Sequence, residues 1–203
     1  KAGRGAWERR GPTKVHRTSP KPVVASVVAA NPDALLVAPT DGRAMQGLLK
    51  AAADAGIKVV LVDTTVNDPS FAVSQISSDN TGGGKAAFDA IKKLKPNGGK
   101  VLVISVDPGI STTDARVAGF EAAAKADPKF KYLGVQYSHD DPATAAKLVT
   151  AALQKDPDIA GIFGTTLFSA EGSSTGVTLA GRAGSVTNNG FHVGTAQVKA
   201  LKW

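Results

Sequence analysis

Apolar and polar positions along this chain switch between two spacings. Short apolar runs occur at Ala34–Ala38, Lys58–Thr64, Lys100–Val106, Tyr132–Tyr137, Ala160–Thr165 and Ser185–Phe191. They are short and separated by turn formers and helical stretches, which predicts strands. A weaker run, Ala72–Ser77, is a further short strand. In Lys58–Thr64 the residues Val59, Val60, Leu61 and Val62 follow without a polar interruption, the mark of a strand buried in a parallel sheet. Between the runs, apolar residues recur at helical spacing, over Pro22–Ala30, Arg43–Ala55, Asp114–Ala126, Pro142–Lys155 and Phe168–Ala180, with a last helix from Thr195–Leu201. One more helix begins at the glycines Gly82–Gly84 and carries Phe88, Ile91 and Leu94, with Asn80 or Thr81 as its cap. Strands alternating with helices predict right-handed βαβ units and an α/β fold with parallel sheets.

In such sheets ligands bind outside the carboxyl ends of the strands. The polar residues at or just beyond those ends are Asp63, Thr64, Thr165 and Thr166, with Arg116 in the following helix. The set lacks a nucleophile–base pair. It suits recognition of hydroxyl groups, for which carboxylate and guanidinium are charge-assisted hydrogen-bond partners.

The chain has 203 residues and a net charge of +7. Residues 1–21 hold seven basic side chains against Glu8 alone, which is six of those seven net charges. The rest is nearly neutral, and glycines and prolines interrupt any recognition helix in the basic segment, so no nucleic-acid partner is expected. There is no cysteine, which excludes disulfides, thiol nucleophiles and zinc–thiolate sites. No apolar run approaches the roughly 20 residues needed to span a bilayer. No signal sequence is legible.

Two motifs fail on their context. Gly172-Ser173-Ser174-Thr175-Gly176 matches a hydrolase nucleophile elbow, but no Asp or Glu follows Glu171 to complete a triad in that order. Gly82-Gly83-Gly84-Lys85 resembles a phosphate-binding loop, yet Asp79 stands in place of its first glycine and Ala86 in place of the hydroxyl residue. His16, His139 and His192 lack metal-ligand spacing. No cofactor is expected.

The segments NPDALLVAPTDGRAM, GIKVVLVDTTV, ISSDNTGGGKAAFDAI, STTDARVAGFEAAA and PDIAGIFGTT together resemble periplasmic sugar-binding proteins of the ribose-binding type, the substrate receptors of ABC importers. The resemblance covers roughly residues 21–200. It implies two Rossmann-like lobes holding a monosaccharide or similar polyol in the cleft between them, a membrane permease as partner, and an exported, periplasmic location. Carried over by position, Asp63 and Arg116 are hydroxyl-binding residues. Thr64 stands where an arginine is usual, Thr166 where asparagine is common, and Asp140 near a position often aromatic. His192 replaces an aspartate. The division expected is a basic irregular segment at 1–20, a first lobe at 21–78 and a second at 79–203, with strands of the family pattern missing at both ends. The alternative is the effector core of a sugar-responsive transcription regulator. An α/β enzyme ranks third.

Overall fold

The computed structural model describes residues 8, 10, 20–194 and 198. The basic segment 1–20 and the helix expected over Thr195–Leu201 therefore lie almost wholly outside the described residues. The chain divides into two compact units, Lys1–Ser78 with Gly109–Ser111, and Asp79–Pro108 with Thr112–Trp203.

Unit 1 contains α1 (Pro20–Ala29), β1 (Ala34–Val37), α2 (Gly42–Asp54), β2 (Lys58–Val62) and β3 (Ser74–Ile76). Its sheet is parallel in the order β1-β2-β3. Asp41 starts α2, its carboxylate accepting from the Arg43 and Ala44 amides at 3.1 and 2.9 Å. One face of the sheet (Leu35, Val37, Val59 and Leu61) is buried against Met45, Leu49 and Ala52 of α2 and Val24 of α1. The other face is open. Leu36 and Ile76 are 51% and 61% exposed, and Val60 and Val62 are only half-buried. The uninterrupted apolar run of β2 predicted burial on both faces, and the structure shows it on one.

Unit 2 contains α3 (Asn80–Leu94), β4 (Gly99–Ser105), α4 (Ser111–Lys125, its first residue grouped with unit 1), β5 (Phe130–Tyr137), α5 (Pro142–Lys155), β6 (Ile159–Gly164), α6 (Leu167–Leu179) and β7 (Thr187–Gly190). Its parallel sheet runs β5-β4-β6-β7. Leu102, Ile104 and Ile162 bury against Ala145, Val149 and Leu153 of α5 and Val177 of α6. On the opposite face Val101, Val103 and Phe163 meet Phe88 and Ile91 of α3 and Phe120 of α4. Val101 through Ser105 are all at most 1% exposed, so β4 has the two-sided burial that β2 lacks. Amides of β2 are therefore expected to exchange through openings of lower free energy than those of β4. Native-state hydrogen exchange checks this; equal protection of the two strands would contradict it.

Two local expectations change, and a third point bears on a motif already set aside. Asp79, not Asn80 or Thr81, caps α3, its carboxylate accepting from the Gly82 amide at 2.8 Å. Helix α4 begins at Ser111, three residues before Asp114, and buries Thr112 and Thr113 in its first turn. The Gly172–Gly176 pair lies inside α6, so Ser174 sits on a helix and not on a strand-to-helix turn. A Cβ on Gly172 would strike the Pro142 carbonyl and Ala145, and one on Gly176 the Ala146 carbonyl and Val149. The two glycines let α6 lie close against α5, and that packing accounts for the motif.

Candidate functional site

Because the strands of unit 2 are parallel, the residues after β4, β5, β6 and β7 emerge on one edge of the sheet. Pairing continues one step past the strand ends: the Ser138 amide donates to Ser105 O at 2.8 Å and the Thr165 amide to Ile104 O at 3.0 Å. Beneath this edge lies a set of fully buried hydroxyls. Ser105 Oγ and Thr165 Oγ1 are 2.9 Å apart, and Ser138 Oγ donates to Ser105 O at 3.1 Å. Buried hydroxyls with partners stiffen the floor on which the outer side chains rest.

Arg116 is the centre of this edge. It rises from α4 and is only 4% exposed. Its Nε donates to Asn80 Oδ1 at 2.9 Å, and one terminal nitrogen donates to Thr165 O at 2.8 Å. The guanidinium carbon lies 3.6 Å from the centre of the Phe191 ring, a cation–π contact. The glycine run makes the arrangement possible. A Cβ on Gly84 would strike the Arg116 carbonyl oxygen, and one on Gly83 would strike the Phe191 ring. The run resembling a phosphate loop is thus the close contact of α3 with α4 and Phe191.

On the same edge, Asp140 follows β5 with φ 57°, directly after His139 with φ 54°. Consecutive left-handed non-glycine residues are uncommon and each carries a backbone cost. His139 Nδ1 lies 2.6 Å from Asp107 Oδ1. Thr166, the cap of α6, accepts from the Ser169 amide at 3.2 Å and donates to Asp140 Oδ1 at 3.0 Å. Burial pushes the Asp140 carboxyl up; the Thr166 hydrogen bond opposes this, Asp107 adds to it, and His192 opposes it. A raised carboxyl favours the folded state at acid pH and loses that contribution as pH rises through its folded value, so ionised Asp140 is held at a cost. His192 is exposed and edge-on to Phe191, with ring centres 5.2 Å apart.

In unit 1 the equivalent place is the end of β2. Asp63 has φ 65°; its amide donates to Ile76 O at 2.7 Å, and its carbonyl accepts from Ser77 Oγ at 2.7 Å. The backbone is pinned while the carboxylate is exposed. Thr64 turns inward, 5% exposed, and its Oγ1 is buried without a hydrogen-bond partner.

The structure therefore brings Arg116, Asp140, Thr166 and His192 to one edge of unit 2, and places Asp63 and Thr64 at the end of β2 in unit 1. Sequence reasoning passed over Asn80 as an arginine partner, the ring of Phe191 and the Asp107–His139 pair. A polar residue two positions before the glycine run, and polar residues two positions past the ends of β4 and β5, were the available signals for the first and last of these. Among the described residues no group of His, Asp or Glu side chains could hold a metal ion, and no helix is long and apolar enough to cross a membrane.

A family model described as a periplasmic binding protein domain matches residues 11–202. The chain is 33% identical over 149 residues to the ribose import binding protein of Salmonella typhimurium, covering 73% of this chain and 50% of the relative. It is 30% identical to the D-ribose/D-allose-binding protein of Pseudomonas aeruginosa, covering 83% of this chain and 54% of the relative. The chain thus spans about half the length of these curated relatives. Among solved structures, an ABC transporter solute-binding protein from Agrobacterium vitis bound with α-D-tagatopyranose superposes with a TM-score of 0.80 at 39% identity, covering 84% of this chain and 60% of that one. A second from the same organism, with bound D-fucose, gives a TM-score of 0.87 at 28% identity, covering 93% and 67%. With its α/β fold of parallel sheets flanked by helices, the chain belongs to the periplasmic binding protein domain family.

Proposed function

We propose that this chain is the solute-binding receptor of an ABC-type importer, acting outside the cytoplasm and delivering a monosaccharide or similar small polyol to a membrane permease. The observation that carries the reading is the prearranged edge of unit 2. There Arg116 is locked over Phe191 by Asn80 and the Thr165 carbonyl, so a donor-rich group is oriented before any ligand arrives. The sugar-binding relatives and the sugar-bound Agrobacterium proteins support it. The Salmonella relative is an import binding protein and the Agrobacterium proteins are ABC transporter solute-binding proteins, which ranks the transcription-regulator core below this reading. No catalytic step is assigned. Arg116 of unit 2 and the exposed carboxylate of Asp63 in unit 1 are each proposed as hydrogen-bond partners for ligand hydroxyls, with Asp140 and His192 as further contacts.

Asp63→Ala is expected to weaken sugar binding by about 1.5–3 kcal/mol, the range for hydrogen bonds to charged groups. Calorimetry of the purified protein against a panel of neutral monosaccharides measures it. Unchanged affinity would remove Asp63 from the site. Failure of the unaltered protein to bind any sugar would remove the receptor reading itself.

A further inference from the structure

We propose that Asp140, positioned by Thr166, makes the unit 2 edge a hydrogen-bond acceptor that selects ligands by charge, favouring sugars with an ammonium group over neutral ones and disfavouring sugar acids. The proposal rests on the receptor reading above and adds a ligand class to it.

The argument starts from one proton. Thr166 Oγ1 lies 3.0 Å from Asp140 Oδ1, 2.9 Å from Ser169 Oγ and 3.2 Å from the Ser169 amide nitrogen. A threonine hydroxyl has one hydrogen and two acceptor positions, and an ionised carboxylate can only accept. Thr166 Oγ1 is placed to donate to both Asp140 and the Ser169 hydroxyl, and it accepts from the Ser169 amide. Its single hydrogen goes to the ionised carboxylate, the stronger acceptor. With that hydrogen committed Thr166 is a positioning residue, and the half-buried Asp140 is the group that meets a ligand.

Among the described residues no cationic side chain pairs with Asp140 at hydrogen-bond distance. The charges acting on it are Asp107, which opposes ionisation, and His192, which favours it. Asp107 is itself engaged with His139 at 2.6 Å. Structure alone gives little reason for a carboxylate here. The left-handed backbone at φ 57° would suit asparagine or glycine, and burial works against ionisation. A half-buried carboxylate that accepts one hydrogen bond and retains open lone pairs favours an incoming donor, above all a cationic one, and repels an incoming carboxylate.

The test uses two sugar series at neutral pH: D-galactose, D-galactosamine and D-galacturonate, and D-glucose, D-glucosamine and D-glucuronate. In the series that binds, the amino sugar is expected to bind at least about tenfold more tightly than the uronate. Asp140→Asn should bring the two within about threefold. Thr166→Val should reduce the preference in part, and Thr166→Ser, which keeps the hydroxyl, should restore it. A purely structural role for Asp140 predicts a different pattern, a change in melting temperature with the preference intact in Asp140→Asn, and that result overturns the proposal. Equal binding of amino sugar and uronate by the unaltered protein also overturns it, while leaving the receptor reading standing. If no sugar of either series or of the neutral panel binds, the receptor reading falls and this inference falls with it.

Discussion

Arg116→Ala is expected to destabilise unit 2 by about 3 kcal/mol and to remove measurable sugar binding. The stability loss follows from what the side chain leaves behind. Asn80 Oδ1 and the Thr165 carbonyl lose donors at 2.9 and 2.8 Å, and the Phe191 ring loses its cation. Each buried acceptor stranded in this way costs roughly 1–3 kcal/mol, partly recovered where water enters, and the ring contact adds about 0.5–2 kcal/mol. Two further variants separate folding from binding. Arg116→Met keeps apolar bulk over Phe191 and avoids burying a charge, so it should retain much of the stability while still failing to bind. Arg116→Lys keeps the charge but not the planar fork, and should bind weakly. Urea denaturation and calorimetry on all three measure both quantities. Stability within about 0.5 kcal/mol of the unaltered protein together with unchanged sugar affinity in Arg116→Ala would refute the central role given to this side chain.

The alternation of elements was legible because buried faces leave a period in the chain. Helix α5, Pro142–Lys155, has the bounds its apolar spacing and its opening Asp141-Pro142 predict. The start of α4 was misplaced because Ser111, Thr112 and Thr113 read as loop composition, whereas two of them are buried in the first turn. Two-sided burial of β2 was over-read, since an unbroken apolar run reports which residues could be buried and not what lies against them. The site was legible only as a location. Strand-end polar residues can be picked out when strands are known to be parallel, and this marks Asp63, Thr165 and Thr166 as groups at strand ends. The bonds joining them could not be. Arg116 meets Phe191 only because β7 lies at one end of the sheet and α3 crosses α4 at glycines. The bond from Thr166 to Asp140 depends on loops following two strands, β6 and β5, that are both neighbours of β4 and not of each other.

The same dependence makes Gly84 the most sensitive small residue of the site. Gly84→Val should destabilise unit 2 by about 3 kcal/mol or more, at or above the usual upper range for overpacking, because backbone and not a yielding side chain stands in the way. A Cβ at this position meets the Arg116 carbonyl, with its carbonyl carbon and the Phe120 amide nitrogen both 2.9 Å away. Relief requires α3 and α4 to separate, which pulls Arg116 from Asn80 and loosens the edge-on contact of Phe88 with Phe120, whose ring centres are 5.7 Å apart. Affinity for sugar should fall with stability, although Gly84 itself touches no ligand. Gly47 supplies the control. It lies exposed in α2 of unit 1, and a Cβ there meets nothing within 4 Å. Gly47→Ala should therefore stabilise α2 by about 0.5–1 kcal/mol through helix propensity and the reduced freedom of the unfolded chain. Denaturation midpoints of the two variants should move in opposite directions from the unaltered protein. A Gly84→Val protein as stable as the Gly47→Ala protein would show that α3 and α4 are not held at the distance on which the Arg116 site depends.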